Sequence, residues 1–218
     1  MSDSFTPTER SKVRRLHERA HYDRDSLHAI LDAGVQCHVG YVIDGQPYVT
    51  PTIHWREGEQ VYFHGSSASR MLRTVKQGIP VCLTVSFLDG LVLARSGFHC
   101  SVNYRSAMLF GQAEAVEDEA EKLASLQVLV DGLLPGHWPH MRPPNGQEMK
   151  ATTVCRLNIE EASAKIRTGP PKDDDEDYAL DCWAGVVPVR TVIGAPERDP
   201  LLRDDVADPA YLQQIRLG

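Results

Sequence analysis

Residues 61–75 read "VYFHGSSASRMLRTV", the stretch in which residue types able to do chemistry crowd most closely. A β-rich run ends in Phe63-His64 and breaks at Gly65-Ser66-Ser67. It resumes as a helix predicted from about Ala68 to Gln77, carrying Arg70 and Arg73. The first amides of a helix lack intrahelical acceptors and sit at the positive end of its dipole, so an anion is stabilised there. Ser66, Ser67 and Ser69 add hydroxyl donors, and Arg70 can grip a phosphate through two parallel N–H bonds. A serine ahead of a helix is also an ordinary cap, with the arginines solvated. On these residues alone the stretch is either a phosphate seat or a capped surface helix.

The elements around it read as strands on short turns. "YDRDSLHAILDAG" gives a helix with Asp23 or Asp25 as N-cap, Leu27, Ile30 and Leu31 at helical spacing, and Gly34 as its stop. From Val35 the period becomes two: "VQCHVGYV" alternates, Asp44-Gly45 signals a hairpin, and "PYVTPTIHW" resumes the strand. Pro51 inside that strand predicts an edge or bulge, where a backbone N–H can be spared. "QVYFH" follows the Glu57-Gly58-Glu59 turn. "PVCLTVSFL" and "LVLAR" read as two strands around Asp89-Gly90, and "NYRSAMLFGQAEAV" as one long strand. A helix begins at Asp118, with Glu121 in capping-box position and Leu123, Leu126, Leu129, Val130 and Leu133 apolar. "PGHWPHMRPPNGQ" reads as a loop; "TTVCRLNI", "SAKIRT" and "VVPVRTVIG" read as late strands.

Antiparallel strands with inserted helices predict a mainly β fold, a β-barrel with helical decoration, and no doubly wound sheet. Neither a G-x-G-x-x-G nor a Walker loop is present. The expected division is a polar N-terminal arm at 1–21, a folded domain at 22–195 and a charged tail at 196–218.

The 218 residues are 42% hydrophobic and 24% charged, enough apolar material for a core. A formal net charge of −7 argues against a nucleic-acid surface. The first twenty residues are polar throughout, and no run approaches the ~20 apolar residues of a membrane-spanning helix. Cys37, Cys82, Cys100, Cys155 and Cys182 are scattered, without a C-x-x-C pair, as expected of reduced cytoplasmic thiols rather than disulfides or a zinc site.

In order, "ILDAG", "VGYVIDGQPYVTPTIHW", "VYFHGSSASRML", "FHCSVNYRSAMLFGQAEAV" and "AKIRTGPP…DDEDYALDCWAGVVPV" resemble the flavin-binding split-barrel proteins of the pyridoxamine 5′-phosphate oxidase-like superfamily. The similarity is to the branch related to nitroimidazole-resistance reductases, over roughly residues 22 to 190. It implies a six-stranded antiparallel split barrel, homodimeric, with FMN in a groove at the subunit interface. By the same resemblance, Thr50, Pro51, Thr52 and Ile53 run beside the isoalloxazine edge, and Phe63, His64 and Gly65 lie near the ribityl chain and phosphate. Ser69, Arg70 and Met71 bind the phosphate, where the oxidase itself carries an adjacent basic pair. Arg105 and Ser106 contact the flavin, and Lys165 and Arg167 reach the ring or substrate from the partner subunit. A cation near N1/C2 stabilises the anionic reduced ring.

The implied activity is oxidoreduction, from a reduced donor such as NAD(P)H through the flavin to a nitro compound, quinone or oxygen. The oxidase's own substrate signature is absent, so vitamin B6 oxidation is not expected. A second reading is a flavin- or haem-binding protein without turnover, in storage, sensing or resistance; a third is a deazaflavin protein. His64 and His99 are proton donors or haem ligands on one reading and structural histidines on the other. His54 lies in a strand and can point to either face. His137 and His140 lack a third metal ligand, and "DDDED" (Asp173 to Asp177) lacks the calcium-loop order, so no metal is expected and the acidic run reads as solvated.

Overall fold

A computed structural model describes residues 3–215. The described chain is mainly antiparallel β with four α-helices, as expected of a split barrel, and its contacts divide it into two compact units. Unit one comprises residues 1–31, 82–111 and 159–191, and unit two residues 32–81, 112–158 and 192–218, as far as they are described.

In unit one, β1 (Ala20–His21) pairs with β9 (Glu161–Arg167), β9 with β6 (Ser101–Gln112), and β6 with β5 (Pro80–Leu93). A last short strand, β10 (Gly185–Pro188), lies antiparallel on the far half of β5. The two strands expected around Asp89-Gly90 are therefore one continuous strand. No turn forms because β10 covers this spot: a Cβ on Gly90 would stand 2.9 Å from Val186 Cγ1. Glycine here answers a close strand approach rather than a reversal.

Helix α1 (Arg24–Asp32) starts where predicted: the Asp23 carboxylate accepts the Ser26 amide at 2.8 Å, and Leu27, Ile30 and Leu31 are buried. The N-terminal arm is tied into unit one. Phe5 is buried, its amide bonded to Tyr22 O at 2.8 Å, and the Tyr22 hydroxyl accepts the Val13 amide at 2.8 Å. Residues 1–2 and 216–218 of the expected arm and tail lie outside the described residues.

In unit two the strand order is β2 (Gln36–Ile43), β3 (Gln46–Glu57), β4 (Gln60–Ser66), β8 (Thr152–Asn158) and β7 (Glu114–Ala115). Asp44 and Gly45, both at positive φ, make the predicted hairpin turn between β2 and β3. Helix α3 (Glu119–Leu133) is capped as expected, with Asp118 accepting the Glu121 amide. It packs Leu126, Leu129 and Leu133 on a cluster of Trp55, Tyr62, Val116 and Val154.

Two helices depart from expectation. The one after β4, α2 (Arg70–Val75), is six residues long. The other, α4 (Gly146–Ala151), rises from the Pro/Gly-rich loop, because Asn145 and Glu148 form a reciprocal capping box. The C-terminal tail is also held in unit two: Tyr211 OH lies 2.7 Å from His137 Nδ1, and its ring stacks on His140. No helix among the described residues is long and apolar enough to cross a membrane.

Candidate functional site

The predicted site residues fall into two sets, one in each unit. Thr50, Pro51, Thr52, Ile53, Phe63, His64, Gly65, Ser69, Arg70 and Met71 share a corner of unit two. There β3 carries two unlike faces. Tyr48, Thr50 and Thr52 are half-buried on one face, while Val49, Pro51 and Ile53 are exposed on the other. The β3–β4 ladder covers only His54–Glu57 of β3, so Thr50–Ile53 run past it, hydrogen-bonded to β2 alone within the unit. That explains how Pro51 is tolerated, and it leaves a backbone edge on offer.

Thr52 bridges the splay between the strands, its Oγ1 donating to His64 O at 3.2 Å, while the Tyr41 and Thr50 hydroxyls lie 3.2 Å apart. His64 itself packs edge-on to Trp55. Its Nδ1 is buried and has no hydrogen-bond partner among the described residues, and burial lowers the imidazole pKa from 6.5. A neutral ring with an unused lone pair or N–H results. His54, by contrast, is fully buried, with its amide on Val35 O.

Downstream, the chain turns through Ser66–Ser69 into α2. Ser66 Oγ accepts the Ala68 amide, and the Ser67 amide donates to Ala151 O at 2.7 Å. Ser69 occupies the N-cap position, yet its side chain accepts no helix amide, so the capping account of this serine fails. The amides of Arg70, Met71 and Leu72 have no intrahelical acceptor, as at any helix start. Arg70 lies over the Tyr48 ring, 5.2 Å from its centroid. Neither Arg70 nor Arg73 meets a carboxylate among the described residues. Phe63 is fully sealed and Met71 nearly so; their side chains belong to the core, and only their backbones can serve a ligand. Gly65 is pressed by the helix: a Cβ there would stand 3.1 Å from Leu72 Cδ1.

The set in unit one is already engaged. Arg105 grips Asp89 (Nε to Oδ2 3.0 Å) over the Phe87 ring. Ser106 Oγ donates to Lys165 O at 3.3 Å, across the β6–β9 register, and Lys165 Nζ donates to Arg15 O at 3.1 Å. Arg167 is buried with no carboxylate partner among the described residues: it donates to Asn103 Oδ1 and to Pro170 O at 3.3 Å. Burial, with some repulsion from Arg19, pushes this guanidinium below its ordinary pKa.

Tyr48, which sets Arg70, escaped the sequence reading although its period-two spacing with Thr50 and Thr52 was a usable signal. Asp89 and Asn103 escaped too, since nothing in a sequence announces cross-strand partners.

A family model described as pyridoxamine 5′-phosphate oxidase matches residues 23–166. The flavocytochrome Anf3 from Azotobacter vinelandii is 50% identical, covering 98% of this chain and 100% of its own, at a TM-score of 0.93. An FAD- and haem-binding protein from Mycobacterium smegmatis is 36% identical over 90% of this chain and 97% of its own, at 0.86. A candidate 5-nitroimidazole antibiotic resistance protein from Bacteroides thetaiotaomicron shares the fold at 22% identity, covering 67% of this chain and 86% of its own, at 0.57. No curated protein sequence matches. With two thirds of its length inside the family match and half its residues shared with a full-length relative, the chain belongs to the pyridoxamine 5′-phosphate oxidase family.

Proposed function

We propose that this chain is a flavin-binding oxidoreductase of the flavocytochrome kind, with haem as a second redox group. The observation that carries the reading is the β3–α2 corner of unit two. Among the described residues it holds two arginines without carboxylate partners, a serine at N-cap whose side chain accepts no helix amide, and a backbone edge free of a second strand. Cations without counter-ions and uncommitted donors suit a phosphate-bearing ligand. The relatives whose names include flavin and haem support the choice of ligand.

In this reading Arg70 and Ser69 hold the flavin's first phosphate. Arg73, three residues on and on the same helix face, meets a second one. Two cations favour FAD over the FMN expected from sequence, and the FAD- and haem-binding relative favours it as well. Thr50–Ile53 offer amides and carbonyls to the ring edge. Tyr48 orients Arg70, Thr52 fixes the backbone of His64, and Gly65 keeps α2 close enough for its donors to converge. His64 would be the residue to hold a haem iron: its Nδ1 has no hydrogen-bond partner among the described residues, and burial favours the neutral imidazole that ligation needs. In the homodimer proposed with this reading, Arg105, Ser106, Lys165 and Arg167 serve unit one by fixing its strands, their side chains being already engaged there. When bound, a flavin would supply hydride and single-electron chemistry and a haem one-electron chemistry. No protein nucleophile is needed.

Anaerobic mixing with NADH or NADPH tests the reaction class, followed by a nitro compound, a quinone or oxygen. Donor-driven loss of the flavin band and its return on adding acceptor over repeated cycles are expected. A flavin that neither donor reduces, and that once reduced chemically is reoxidised no faster than free flavin, would leave a binding role without turnover.

A further inference from the structure

The acidic run at 173–177, read from sequence as solvated, is built into unit one. The Asp173 side chain is sealed from solvent: its carboxylate accepts the Arg95 amide at 2.9 Å and the Arg95 guanidinium at 3.0 Å. The Tyr178 ring covers that guanidinium from the other side, 4.8 Å from its centre. Asp173 is thereby neutralised and the loop clamped. A short turn of 3₁₀ helix follows (Asp175–Ala179), with the Asp177 amide on Asp174 O at 2.9 Å, so Asp174 and Asp177 present their carboxylates side by side.

Facing them is His99, whose amide is tied to Ser96 O at 3.2 Å and whose ring is backed by Phe98. Its Nε2 is sealed from solvent and makes no hydrogen bond, though Asp174 Oδ2 lies only 3.2 Å away. A buried ring nitrogen left unsatisfied beside two carboxylates calls for an explanation. Ligand atoms of His99, Asp174 and Asp177 all lie within 4.8 Å of one another. Ligands at metal–ligand distances of ~2.1 Å stand about 3 to 4.2 Å apart, so small side-chain rotations would close the set.

We propose that His99, Asp174 and Asp177 form a divalent cation site of unit one, with waters completing the coordination. One imidazole nitrogen with two carboxylates suits Mn²⁺ or Zn²⁺ better than the all-oxygen preference of Mg²⁺ or Ca²⁺. The two carboxylates balance the ion's charge, and Asp175 and Glu176 contribute only a surrounding negative field. Arg95 and Asp173 are positioning residues that hold the loop against His99. The ion would pin residues 174–177 to the 96–99 turn, a structural role independent of any flavin.

Mn²⁺ titrated into the full-length protein, followed through the electron paramagnetic resonance of the free ion, tests the site. One ion per chain is expected, with affinity falling about tenfold or more in His99→Gln and in Asp177→Asn. The Asp175→Asn/Glu176→Gln double variant is expected to stay within about threefold of the parent, since it removes only screened surface charge. Melting temperatures in a chelator identify any variant that fails to fold, and Asp174→Asn then replaces it. No Mn²⁺ uptake at about 1 mM would overturn the proposal. So would uptake indifferent to His99→Gln and Asp177→Asn but lost in the double variant, the signature of a diffuse acidic loop.

Discussion

Replacing Arg70 and Arg105 by alanine separates the two sets of predicted site residues. The Arg70 side chain has a single contact among the described residues, the Tyr48 ring at 5.2 Å, and no carboxylate there, so its loss removes little from the fold: about 0.5–1 kcal/mol for an exposed cation–π pair. If it holds a phosphate, its loss removes a charge-assisted hydrogen bond, about 1–3 kcal/mol, or about 5- to 150-fold in flavin Kd. Arg105 is the reverse case. It grips both Asp89 oxygens, so Arg105→Ala strands a half-exposed carboxylate on β5. That weakens the fold by about 1 kcal/mol after solvent screening and lowers flavin affinity less than the Arg70 change does. The assay is quenching of FAD and FMN fluorescence by flavin-stripped protein, with urea midpoints for each variant. An Arg70→Ala protein with unchanged Kd for both flavins would refute the phosphate assignment. Equal Kd losses in both variants would refute the separation of roles.

Gly65→Ala places a methyl 3.1 Å from Leu72 Cδ1 and is expected to displace α2, costing about 1–2 kcal/mol and weakening flavin binding together; circular dichroism melts and the same titration measure both. Burial holds the His64 imidazole below its usual 6.5, so the unfolded chain takes up this proton before the folded one does. Stability from this group is complete above about pH 6.5 and is lost as pH falls through the lower folded value. Urea midpoints from pH 7.5 to 5 should therefore fall more steeply in the parent than in His64→Gln. Thiol reagents should modify exposed Cys100 and Cys182 quickly, whereas Cys37 and Cys155, both pushed up to about 12 by burial, should react only on unfolding. Mass spectrometry of the labelled native protein reads this directly.

Much of the architecture was legible because it rests on local rules. The Asp44-Gly45 hairpin, the Asp23 and Asp118 caps and the apolar stripe of α1 each depend on residues a few positions apart. The failures share one cause: the deciding neighbour is remote in sequence. Asp89-Gly90 reads as a turn until β10, almost a hundred residues later, is laid against it. The acidic run reads as solvated until Arg95 and His99 are brought to it. In the candidate site, Ser69 and Arg70 stand at the start of α2, a placement set by neighbouring residues and so visible in the sequence. The commitments of Arg105 to Asp89 and of Arg167 to Asn103 lie across strands and leave no periodic trace. Glu148 was visible three residues after Asn145, yet the surrounding prolines and glycines outweighed that capping box.

The most direct test of a flavin and haem protein is the absorption spectrum of the purified full-length chain, before and after reduction, beside that of His64→Ala. Both a flavin envelope and a Soret band are expected in the parent. The Soret band should be lost in the variant while the flavin remains. A parent that takes up neither group when both are supplied would contradict the account at its centre.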